Sequence, residues 1–295
     1  MEKSIHTVLK SVLLLSTCLL VFVAIIFNPF GRTSFQSFQA FSYLTKMQGF
    51  GPRIPGSTAH ENAQNYIINT LRQNGWTVEL QSGQMSGLPY HNILAWKGKK
   101  QISILLGSHY DSRMKADHDK DEDFQDFPVP GSNDGGSSTA VLLELSRILP
   151  EKSTKNIGFV FFDLEDQGDL NGYEWILGSR EFIKNNRFRP EKMILLDMVG
   201  GYNQTIQPPS NSDEEIYESI FNSAKNLGYE NFFLTQGTGG ILDDHVPFLD
   251  AGIPSVDLID IIDPGWHTAH DDLENVNLIS LQRIGDTLYD WLLCQ

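Results

Sequence analysis

"IGFVFFDLEDQG", residues 157–168, decides the fold. Its first six residues are apolar without alternation, so a strand made from them must be covered on both faces, as strands of a parallel sheet are. Asp163, Glu165 and Asp166 follow at once, and Gly168 lets the chain turn away. Carboxylates at the end of such a strand stand where open parallel sheets bind their ligands, beyond the carboxyl ends of the strands.

The flanking sequence extends the pattern. "WTVEL", "HNILAWK", "ISILLGS", "KMILLDMVG" and "PSVDLID" read as further strands, and residues 57–73, 139–149, 175–185, 214–227 and 278–293 as helices. Residues 34–48 also have helical spacing, broken by "GFGPRIPGS". This alternation predicts an α/β fold, a three-layer sandwich with a mostly parallel, mixed central sheet, forming one catalytic-size domain over residues 34–295.

Composition narrows the partners. With 295 residues, 40% of them hydrophobic, the chain can bury a sizeable core, and its net charge of −15 excludes nucleic acid, which needs a basic face. The two cysteines, Cys18 and Cys294, cannot form a disulfide framework through the body. "SVLLLSTCLLVFVAIIF", residues 11–27, is uncharged and follows Lys3 and Lys10, the layout of a signal sequence or a signal anchor. The run is long and no small-residue cleavage site follows. Residues 1–33 are therefore expected to be a cytoplasmic stub and membrane anchor with the catalytic domain extracytoplasmic; secretion after cleavage is the alternative.

Polar residues gather at the predicted strand ends. "ISILLGS" runs into His109, Tyr110 and Asp111, "IGFVFFDL" into Glu165 and Asp166, "MILLD" into Asp197, and the segment after "PSVDLID" reaches Trp266, His267 and His270. A long acidic loop delivers Asp134 at the start of a helix. Singly each has an ordinary explanation: Asp134 reads as an N-cap, Asp197 as a turn residue, a lone histidine as surface. Together, carboxylates at one sheet edge repel one another unless a cation gathers them. Carboxylate with imidazole points to zinc. Of two adjacent acids, one can bind metal while the other acts as general base with its pKa lifted toward neutrality.

"SHYDS", "GSNDGGSSTAVLLELSRIL", "FFDLEDQG", "GSREF", "LLDMVGG", "DDHVPFLDAGIPSVDLID" and "WHTAHDDLENV" stand in the order of a known superfamily. The chain resembles zinc-dependent aminopeptidases of the bacterial leucyl type and the related glutaminyl-peptide cyclotransferases, from about Gly49 to its end, which implies a zinc exopeptidase-like fold. The cyclotransferase resemblance implies one zinc on Asp134, Asp166 and His267, Glu165 as acid/base, Asp197 and Asp243 as an acidic pair near the reacting amide, and Trp266 as a pocket wall. The substrate would be a peptide or protein N-terminus. The aminopeptidase resemblance implies two zincs bridged by Asp134, the second on His109 and Asp197. Trp266 before the histidine, the doubled acid of "DDHVPF" and "LLDMVGG" resemble the cyclotransferases. Two features depart from the animal members: Ser108 and Thr139 replace their cysteine pair, and Asp257 stands at a histidine position, pointing to a microbial-type enzyme. A third reading is a non-catalytic, membrane-anchored binding ectodomain, which would be expected to have lost metal donors; none is missing. The acidic loop reads as solvated, His118 as a bystander, and Tyr173, Trp175 and Phe248 as pocket or core.

Overall fold

The computed structural model describes residues 35–295 except 155, 187, 236 and 238. The expected anchor, residues 11–27, lies outside them. Among the described residues no helix is long and apolar enough to cross a membrane. The longest, Thr58–Gln73 and Leu278–Leu293, have 16 residues each, short of the roughly 20 a hydrocarbon core requires. This corrects the expectation of an anchored body, which finds no support in the structure.

In chain order, α1 is Ser37–Gln48, α2 Thr58–Gln73, β1 Thr77–Met85, β2 Leu88–Trp96 and β3 Ile104–His109. Then come α3 Ser138–Ile148, β4 Ile157–Phe162, α4 Leu177–Asn185, β5 Lys192–Asp197, α5 Glu214–Asn226, α6 Val246–Asp250, β6 Ser255–Ile259 and α7 Leu278–Leu293. The six strands form one sheet in the order β1-β2-β4-β3-β5-β6. β4, β3, β5 and β6 are parallel, and β1 and β2 join antiparallel.

Side chains of a strand alternate between faces, and both faces are covered. Ile194 and Leu196 of β5 pack with Leu44 of α1, Ile67 of α2, Leu142 of α3, Ile220 of α5 and Leu288 of α7. Met193 and Leu195 face the other way, toward Phe182 of α4 and Phe248 of α6. The unbroken apolar runs in the sequence follow directly from this double burial.

The edge ribbon differs. β1 and β2 form a hairpin in full register from Thr77↔Trp96 to Met85↔Leu88, turning at Ser86 and Gly87 with φ of 51° and 87°. Positive φ at both central residues is what a tight hairpin turn needs. The sequence reading stops β1 at Leu80, because Gln81, Ser82, Gly83 and Gln84 carry no apolar residue to mark the half-buried face of this edge strand.

Because four strands run the same way, His109, Phe162, Asp197 and Ile259 end at one edge of the sheet.

Candidate metal centre

The donors are held by short, constrained segments. His109 closes β3 and Asp197 closes β5. Leu164 (φ 55°), Met198 (φ 47°) and His267 (φ 56°) adopt left-handed backbone beside or within the donor set, a strain non-glycine residues sustain where the surroundings enforce it. Asp134 is not the N-cap the sequence suggests. It sits in a π-type turn, Ser132–Ser137, with φ −69° and ψ 109°, and the residue that precedes α3 is Ser137, whose hydroxyl donates to the Asn133 carbonyl and makes no capping bond. The Asp134 carboxylate is thereby free to reach inward. Gly135 (φ 66°) follows, where an added Cβ would stand 2.6 Å from the His109 ring, so the turn can approach His109 only with glycine there.

Buried polar residues fix these segments, and sequence reasoning assigned them no role. Asp271 accepts hydrogen bonds from the backbone N–H of Asn133 (2.8 Å) and Asp134 (3.0 Å). Asp111 accepts from the N–H of Glu165 (3.2 Å) and Asp166 (3.3 Å) and from Gln167 Nε2 (3.0 Å). Arg53, wholly buried, donates to the carbonyls of Tyr110 (2.7 Å), Pro130 (3.2 Å), Gly131 and Asp134 (3.3 Å). Asp163 receives Tyr110 Oη at 3.1 Å and pairs with His60 at 2.9 Å. The one available signal was adjacency: Asp111 and Asp271 each lie within four residues of a suspected donor.

Two donor groups share Asp134. Asp134, Asp166 and His267 form one, His109, Asp134 and Asp197 the other, each offering ligand atoms within 4.8 Å of one another. His267 Nε2 lies 2.9 Å from Asp166 Oδ1 and 3.7 Å from Asp134 Oδ2; His109 Nε2 lies 2.9 Å from Asp134 Oδ1 and 3.2 Å from Asp197 Oδ1. Both oxygens of Asp166 are buried without a hydrogen-bond partner. The large majority of buried polar side-chain atoms find a partner, so the convergence of Asp166 oxygens that make no hydrogen bond on an imidazole nitrogen fits a metal ion held by these groups. Two carboxylates and one imidazole with room for a further ligand match catalytic zinc.

Electrostatics agree. Burial pushes Glu165 well above the usual carboxylate range, with Asp243, Asp166 and Asp244 adding to the shift. Asp166 is pushed up to about 6 by burial and by Asp134. Asp243 is raised well above its ordinary value by burial, then by Asp197 and Asp244, and Asp197 is raised by burial. Burial opposes the charged forms of His109 and Asp134 too, but Asp111, Asp134 and Asp197 outweigh it and raise His109 well above its ordinary value, while the His109 imidazole holds Asp134 below the usual carboxylate range.

A cavity of about 240 Å³ opens over these groups, lined by Asp134, Glu165, Asp166, Asp197, Asp243 and His267 on its polar side. Trp175 and Trp266 wall it; the Trp175 ring stacks on His267 at 5.7 Å and 8°, and Trp266 lies 4.1 Å from the same imidazole. Phe248 belongs to the core, and Tyr173 is not part of the lining. Asp257 is fully buried on β6 with neither carboxylate oxygen hydrogen-bonded; burial and then the nearby Asp243 and Asp197 raise it well above its ordinary value. A larger cavity of about 520 Å³ beside α5 has none of the described donor groups.

The fold and this centre define a zinc exopeptidase-like α/β protein. A profile of peptidase family M28 matches residues 92–292, and the chain belongs to that family. It is 32% identical over 218 residues to aminopeptidase YwaD of Bacillus subtilis, across 66% of this chain and 42% of that protein. It is 26% identical over 263 residues to a glutaminyl-peptide cyclotransferase of Drosophila melanogaster, across 75% of this chain and 71% of the relative. The crystal structure of Tannerella forsythia glutaminyl cyclase superposes with a TM-score of 0.84 at 31% identity, covering 89% of this chain and 99% of that one. The chain is thus an enzyme, a cyclase or an aminopeptidase.

Proposed function

We propose that residues 34–295 form a zinc-dependent glutaminyl-peptide cyclotransferase, which closes the N-terminal glutamine of a peptide into pyroglutamate and releases ammonia. The carrying observation is the inequality of the two donor groups. Neither Asp166 oxygen makes a hydrogen bond, Oδ1 meeting only His267 Nε2 at 2.9 Å and Arg113 Nη1 at 3.6 Å, whereas His109 Nε2 and Asp197 Oδ1 hydrogen-bond at 3.2 Å, a difference that favours one ion over two.

Asp134, Asp166 and His267 would hold zinc. When bound, zinc supplies a Lewis acid for the side-chain carbonyl of the substrate glutamine. Glu165 takes a proton from the attacking α-amine and delivers it to the departing amide nitrogen. The bond from the α-nitrogen to the side-chain carbonyl carbon forms, the bond from that carbon to the amide nitrogen breaks, and ammonia leaves without consuming water. A raised proton affinity suits Glu165 for both halves of this transfer. Asp197 and Asp243 stand on the same cavity wall to hold the amine and the leaving group. Trp266 and Trp175 confine the short side chain and keep out water, which would hydrolyse the amide instead.

The intact His109, Asp134 and Asp197 group, with a 32% identical aminopeptidase, favours a second reading: a two-zinc aminopeptidase in which Glu165 activates water. Mass spectrometry on one Gln-initiated and one Leu-initiated peptide separates the two. Loss of ammonia from the first, with the second unchanged, is expected. Release of free leucine would replace the cyclotransferase reading by the hydrolytic one, and inertness toward both would remove both.

A further inference from the structure

Asp117, His118 and His267 make a third group whose ligand atoms lie within 4.8 Å of one another, and neither reading of the reaction uses it. Asp117 is half-buried and His118 exposed on the acidic loop, while His267 is buried. The loop is pinned there, since the His118 N–H donates to the His267 carbonyl at 3.2 Å. The His118 ring lies 4.7 Å from Trp266 and 4.9 Å from His267, so it stands at the rim of the cavity those two residues line. On its other side His267 offers Nδ1, buried and without a hydrogen-bond partner. A metal-ligating histidine nearly always engages its second nitrogen, and here no protein group does so, which leaves the buried Nδ1 open to a ligand shared with Asp117 and His118.

We infer that Asp117, His118 and His267 Nδ1 form a second, low-affinity site for a divalent cation of the zinc type at the mouth of the pocket, through which excess metal inhibits the enzyme. The inference rests on the proposal that the buried Asp134, Asp166 and His267 group takes the first ion.

Low affinity follows from Arg113. Its Nε and Nη2 already hold the two Asp117 oxygens at 2.6 and 2.8 Å, so the carboxylate meets an ion with its charge largely spent. An ion entering must also displace the Nδ1 proton to solvent. The site therefore fills only at metal concentrations well above those that saturate the buried group. Once filled, it places an ion beside Trp266, where a substrate must pass, and draws electron density from an imidazole that serves the buried ion.

Equilibrium dialysis of the folded protein against graded zinc, read as bound zinc per chain, tests the site without any turnover. The wild type should bind one ion tightly and a second weakly. His118→Ala, at an exposed position, should keep the first and weaken the second by about tenfold or more, as should Asp117→Asn. In parallel, inhibition of peptide turnover by excess zinc should move to about tenfold higher zinc in His118→Ala, with activity at one equivalent unchanged. No second ion in the wild type, equal second-ion binding in His118→Ala, or a second ion lost in Asp197→Asn but kept in His118→Ala would each overturn the inference. Failure of the cyclotransferase reading appears separately, in the peptide products.

Discussion

The two donor groups that share Asp134 are built from the same residue types and differ in what else their atoms touch. In the His109 group the imidazole sits against Asp134 and Asp197 at 2.9 and 3.2 Å, so hydrogen bonding alone accounts for the contacts. In the Asp166 group neither carboxylate oxygen makes a hydrogen bond, Oδ1 meeting only the His267 imidazole at 2.9 Å and Arg113 at 3.6 Å; the two histidines do not differ, since each carries an orphaned Nδ1. A cluster of donors therefore does not by itself rank two candidate sites; the unsatisfied remainder among the carboxylate oxygens of the cluster does.

The largest effect is expected where that remainder lies. Asp166→Ala should lose zinc through dialysis and lose turnover with it, while Asp197→Ala should retain about one zinc per chain. Equal zinc loss in both would erase the distinction between the groups. Glu165→Gln comes next: turnover falls about 10²- to 10⁴-fold with zinc content unchanged, because the proton carrier goes and the donors stay. Activity within tenfold of wild type would remove Glu165 from the chemistry. Asp271→Ala should weaken zinc binding by about 10- to 100-fold in a competition titration, since it frees the turn that presents Asp134; wild-type affinity would show that the turn holds itself.

The smallest effect is on stability against pH. Burial pushes Asp244 up to about 7 and Asp271 up to about 8, from an ordinary 3.8. Between those limits the folded metal-free chain keeps protons that the unfolded chain has released, so its stability falls as pH rises from about 4 to about 8. Denaturant midpoints of chelator-treated protein should be lower at pH 8 than at pH 5, and zinc should shrink the difference. A midpoint that rises with pH in the metal-free protein would contradict the assignment of buried, protonated acids.

The sheet was legible because burial on both faces writes uninterrupted apolar runs, as in "IGFVFF" and "MILL". The outer hairpin was only half legible, since its edge strand has no apolar residue from Gln81 to Gln84. Helix α4 starts at Leu177 rather than Trp175, because Ile176 takes a left-handed φ of 56° that no propensity announces. At the centre, residues at strand ends were readable from topology alone. The conformation of Asp134 was not: an acid before a helix looks like a cap, and only the π-type turn frees it. Asp111, Asp271 and Arg53 act through backbone groups far away in sequence, and such contacts leave no local periodicity. Ser108 and Thr139 touch at 3.1 Å, joining β3 to α3 by hydroxyls where the resembling animal enzymes place cysteines.

Arg53 has a practical implication for anyone trimming this protein. The family match begins at residue 92, yet the peptide that presents Asp134 is tied down by a guanidinium nearly forty positions upstream of that boundary. Expression of the matched region alone would supply the strands and the acids while omitting their tether, so a useful recombinant fragment must start ahead of "GFGPRIPGS".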